Sequence, residues 1–84
     1  MWTPEPTEKL TAEITVALAK PGASWVDPPR PVAHTARPRV TGWLWGRRRT
    51  EDGSWLGLAT LYEGNAWDGA PLGWHPAEHL RALD

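Results

Sequence analysis

Cysteine and phenylalanine are absent from this 84-residue chain, and methionine and tyrosine occur once each. Without cysteine there is no disulfide, no thiolate nucleophile, no iron–sulfur ligand and no thiolate zinc site, so apolar packing must hold the fold together. Long hydrophobic runs are missing too, and no stretch approaches the roughly 20 apolar residues of a membrane-spanning helix. The opening Met1-Trp2-Thr3-Pro4-Glu5 lacks the basic start and apolar stretch of a secretion signal, which makes a cytoplasmic location the expectation. A chain of this length has room for one small core and none for a multi-domain enzyme.

Seven Trp, nine Pro and eight Gly stand against these absences. Preference for Arg over Lys, with many Ala, Gly and Pro, is the codon usage of a GC-rich genome and points to a bacterial source. The formal net charge of −1 hides three blocks: −2 over residues 1–29, +6 over 30–49 and −5 over 50–84. The middle block is where an anion would bind, while the near-neutral total argues against long-range steering of nucleic acid.

Thr7 stands where a side chain caps a helix start, and Leu10, Ile14, Ala17 and Leu18 recur at helical spacing until Pro21-Gly22. An amphipathic helix of two to three turns is expected, with a strand pairing Ile14, Val16 and Leu18 as the alternative. Pro21, Pro28, Pro29, Pro31 and Pro38 then punctuate a segment expected to run extended over the surface. Only Ser24-Trp25-Val26, as an anchor, and Val32-Ala33-His34, as a short edge strand, are expected to pin it down.

From Arg39 to Arg49 the residues are β-branched, aromatic and basic, Asp52-Gly53 carries hairpin chemistry, and Ser54 to Tyr62 reads as the return strand. Alternation puts Thr41, Trp43, Trp45 and Arg47 on one face and Val40, Gly42, Leu44 and Gly46 on the other. Glu63 to Leu72 reads as a loop carrying Trp67. The last segment reads as a strand, a Pro-initiated turn and a second short strand, with Trp74, Leu80 and Leu83 inward.

The Trp-bearing hairpin around Gly53, followed by Gly73-Trp74-x-Pro76-x-x-His79-Leu80, resembles the SH3-like small-barrel fold over residues 39–84. No match is found to that family's N-terminal aromatic motif or to its acidic loop before the Trp pair. The resemblance implies a mainly β chain: a small, partly open barrel over 39–84, with residues 1–38 forming an N-terminal helix and a Pro-rich extended arm packed on it.

His75-Pro-Ala-Glu78-His79 matches H-x-x-E-H, in which two His on one helical face hold zinc beside a general-base Glu. Pro76 inside the motif and about one turn of available helix make this metal site the third and weakest reading, and no cofactor is expected. Ser24 and Ser54 sit in no nucleophile-elbow pattern, and the glycines form no phosphate loop. Catalysis is therefore not expected.

Trp and Arg are the residues that dominate protein interfaces. The leading expectation is a non-catalytic interaction module contacting an unidentified protein partner through Trp43, Trp45, Arg47 and Trp67. Nucleic-acid binding is the alternative, with Arg37, Arg39, Arg48 and Arg49 beside the same Trp pair stacking bases and meeting phosphates. Trp55 and Trp74 are assigned to the barrel core, and Trp2 and Trp25 to fastening the N-terminal arm. The Pro28-Pro29-Arg30-Pro31 segment has polyproline character and is read equally as a ligand and as a linker.

Overall fold

A computed structural model describes residues 3–64 and 69–84 of the chain. Trp2 and Trp67, with the roles expected for them, lie outside the described residues.

The expected helix forms as α1, Glu8–Ala17. Thr7 adopts an extended backbone and its hydroxyl accepts the Leu10 N–H at 3.1 Å, which satisfies one of the free donors of the first turn. Ile14, fully buried, anchors the inner face, while Val16 lies largely exposed on the outer one.

Five antiparallel strands follow: β1 (Ala23–His34), β2 (Val40–Arg49), β3 (Trp55–Glu63), β4 (Leu72–Pro76) and β5 (Leu80–Ala82). They form one curled sheet in the order β4-β3-β2-β1-β5. Ala77–His79 makes a single 3₁₀ turn, η1, between the last two strands, as the Pro-initiated pattern predicts. The chain is thus mainly β, with one N-terminal helix and a sheet that curls into a small, partly open barrel.

The Pro-rich segment departs from expectation, because it enters the sheet as β1 and is hydrogen-bonded to β2 on one side and β5 on the other. Two features reconcile Pro with an inner position. The ladder to β2 pairs Ala23–Trp25 and then resumes at Arg30, so Pro28 and Pro29 fall in the irregular stretch between. Pro31 accepts the Leu83 N–H at 3.0 Å, so its own nitrogen faces β5 where that strand runs out and no donor is required.

A bulge between Leu44 and Gly46 in β2 makes Trp45 the extra residue, so Arg47, expected beside the Trp pair, faces the other way with Gly57, and Gly46 joins Trp43 and Trp45 on one side. That side is the one α1 covers. Ile14, Trp43, Trp45 and Leu58 form the core cluster, with Leu10, Leu18, Tyr62, Leu72 and Trp74 packed around it. Trp45 is 2 % exposed, and its indole N–H donates to the buried Thr60 hydroxyl at 2.9 Å. Each fully buried apolar side chain of this size contributes about 1.5–3 kcal/mol, so these few residues supply much of what a small domain can gather.

On the opposite face β3 contributes Gly57 and the fully buried Ala59. A Cβ on Gly57 would sit 2.5 Å from Leu80 Cδ1 and 2.9 Å from Leu44 Cδ1, so β5 folds over β2 and β3 with no space left for a methyl group. Leu80 points inward as expected, but Leu83, at 46 % exposed, does not.

Candidate binding surface

The structure divides the expected site. Trp43 and Trp45 do share a face, but the helix covers it and both are core residues, so they are corrected here from contact surface to packing. Strand alternation identifies which side chains lie together; it does not identify which side α1 will choose.

The basic stripe is divided as well. Arg37 and Arg39 lie in the β1–β2 turn, and Arg47, Arg48 and Arg49 lie at the far end of β2. At roughly 3.3 Å per residue the two groups stand about 25 Å apart. Arg48 is half-buried, and its Nε–H donates to the Pro21 carbonyl at 3.0 Å, which ties it to the start of β1. The four Arg of the nucleic-acid alternative therefore fall into two separate pairs, Arg37 with Arg39 and Arg48 with Arg49, and form no single surface with the buried Trp43 and Trp45.

Trp55 takes the place left open. Expected in the barrel core, it is instead 44 % exposed, and Leu58 supplies the bulk on the helix side. Its position explains this: it is the first residue of β3, at the hairpin end, paired with Arg49 on the face away from α1. Arg47 and Arg49, both exposed, place their guanidinium carbons 5.8 Å each from the centroid of the Trp55 ring. At that distance the ring quadrupole attracts each cation. Arg47 pairs with Gly57 and is thereby the diagonal neighbour of Trp55 across the two strands.

The adjoining turn is tightly organised. Gly53 takes the left-handed conformation, φ +87°, that the turn demands. Asp52 accepts from the Thr50 hydroxyl and from the Ser54 N–H, the latter at 2.9 Å. The Thr50 hydroxyl first, and then the Ser54 N–H, hold the Asp52 carboxyl down to about 2. Asp52 thus faces inward to its own loop, and among the described residues the sole ion pair is Arg30 with Asp84, at 3.0 Å.

Trp25, expected to fasten the N-terminal arm, lines a groove with Pro4, Pro6, Pro28 and Pro29 while remaining 45 % exposed. Pro4 is buried there. Trp74 is half-buried against the core cluster, close to its expected place.

The H-x-x-E-H residues do not share a helix: His75 ends up on β4, whereas Glu78 and His79 belong to η1. The Glu78 carbonyl accepts from the Thr35 hydroxyl. Among the described residues no group of three or more His, Asp or Glu side chains is placed to hold a metal ion. The histidines are nonetheless neighbours: the His34 and His79 rings lie 5.5 Å apart, and burial, followed by the charges of His34 and His79, lowers the His75 pKa below its usual 6.5.

One signal in the sequence could have marked Trp55 as exposed rather than core: its place next to the Asp52-Gly53 turn with Arg at two alternate positions of the facing strand. No family model, curated protein or solved structure matches the chain.

Proposed function

We propose that the chain is a non-catalytic protein-interaction module on an SH3-like small barrel, with the partner docking on the hairpin end formed by Arg47, Trp55 and Arg49. The observation that carries this reading is the large exposed indole held between two exposed guanidinium groups, the residue types that concentrate binding energy at protein interfaces. Strand order, with a 3₁₀ turn before the closing strand, supports the barrel assignment.

Nucleic acid is a second reading, favoured by the same juxtaposition of stacking ring and cations. It is weakened by the separation of the other Arg and by a net charge of −1.

A photo-crosslinking amino acid at position 51, exposed in the adjoining turn and outside the three docking residues, tests both. The crosslinked species is expected to be a protein, to survive nuclease, and to vanish in Trp55→Ala while the far-ultraviolet spectrum and melting temperature of that variant stay as in the wild type. A nuclease-sensitive product would replace the first reading with the second, and a product unaffected by Trp55→Ala would remove this surface from consideration.

A further inference from the structure

We infer that the segment accepted by this hairpin end is an extended peptide strand carrying carboxylates at positions i and i+2; the inference rests on the protein-partner reading above. Arg47 and Arg49 are themselves i and i+2 on one face of β2, so their stems emerge about 6.5–7 Å apart, the repeat of any extended strand. Carboxylates on alternate residues of an extended segment have the same repeat.

The two guanidinium groups are set up for that match. Each lies against Trp55, which restricts its rotamers before any ligand arrives and leaves N–H donors of the planar fork free at the edge. The Arg49 guanidinium also lies over the turn, with Nη2 3.8 Å from where a Gly53 Cβ would be. Neither Arg pairs with a carboxylate among the described residues. The Asp52 carboxylate, in the adjoining turn, is taken up by Thr50 and Ser54.

A short acidic strand suits this charge pattern better than a long polyanion. Glu51 and Asp52 follow Arg49 within three residues, so a chain of phosphates running on past the two guanidinium groups meets carboxylates of its own sign. Two carboxylates on an otherwise neutral segment do not extend that far.

The test is a titration of the ¹⁵N-labelled full chain, at low salt, with four capped nonapeptides of Gly, Ser and Thr. One carries Glu at i and i+2, one at i and i+1, one at i and i+3, and one Gln at i and i+2; octathymidylate is the fifth probe. The Trp55 indole N–H reports binding. The i, i+2 peptide is expected to bind at least about fivefold more tightly than either isomer and than the Gln peptide, with Arg47→Gln and Arg49→Gln each erasing that preference. These two substitutions change exposed side chains and leave the core intact, so the amide spectrum of each variant is expected to remain that of the wild type. Equal affinity for the three Glu peptides, or no response to any peptide at millimolar concentration, overturns the inference while leaving the crosslinking result to decide the broader reading. Tighter binding of octathymidylate overturns both.

Discussion

Thr60→Val puts the packing of the core to a direct test. The Thr60 hydroxyl is the acceptor for the Trp45 indole N–H at 2.9 Å, and both residues are almost wholly withdrawn from water, at 1 % and 2 % exposed. Valine keeps the shape and volume of threonine but cannot accept, so the change removes a hydrogen-bond acceptor without opening a cavity. Loss of one partner of a buried pair costs about 1–3 kcal/mol, since the desolvated donor is left behind. In a domain of this size each kcal/mol shifts the melting temperature by about 4–8 °C, so a fall of roughly 5–20 °C is expected. Urea unfolding followed by Trp fluorescence measures the same quantity, with the midpoint moving and the slope unchanged. A double-mutant cycle separates this bond from other effects: Trp45→Phe already lacks the donor, so Thr60→Val on that background is expected to cost at least about 1 kcal/mol less than it does in the wild type. Thr60→Val within about 0.5 kcal/mol of the wild type, or a cycle with no coupling, would refute this account of how β2 and β3 are locked under α1.

Two further outcomes are expected. Gly57→Ala introduces a methyl group against Leu80 and Leu44, overpacking the barrel interior, and is expected to destabilise by about 1–3 kcal/mol in chemical unfolding; a neutral result would mean that β5 does not close over β3 as described. Because burial and the neighbouring His34 and His79 lower the His75 pKa, the folded state binds fewer protons than the unfolded one; stability is fully present above the unfolded value of 6.5 and is lost as pH falls through it toward the folded value. Melting temperatures taken from about pH 8 to pH 5 are expected to decline below pH 7 and to decline less in His75→Gln, and an unchanged slope in that variant would contradict the placement of His75.

Much of the architecture was legible in the residues. Thr7 with Leu10, Ile14, Ala17 and Leu18 predicts α1, Asp52-Gly53 locates the hairpin, and Pro76 starts the 3₁₀ turn between two short strands. Each of these rests on local chemistry, capping or turn geometry, which operates within a few residues. β1 was legible only at Val32–His34, read as a short edge strand; its full length and inner position were not, because Pro28, Pro29 and Pro31 argue against an inner strand and only the pairing pattern shows Pro28 and Pro29 in an irregular stretch and Pro31 facing the end of β5. The site was half legible. Arg47 and Arg49 belong to the basic block, and Trp43 and Trp45 were correctly assigned to one face. Which face receives the helix depends on long-range packing, and that choice exchanges the roles of Trp45 and Trp55. The bulge at Trp45 adds to the difficulty, since a single extra residue reverses the alternation for all of β2 beyond it.

The division of the tryptophans into core and surface is the claim on which the candidate site depends, and hydrogen–deuterium exchange of the indole N–H groups tests it most directly. The Trp45 indole, buried and bonded to Thr60, is expected to keep its proton until the domain opens. The Trp55 indole, exposed at the hairpin end, is expected to have exchanged by the first spectrum. Retention of the Trp55 proton, or loss of the Trp45 proton alongside it, would contradict the account.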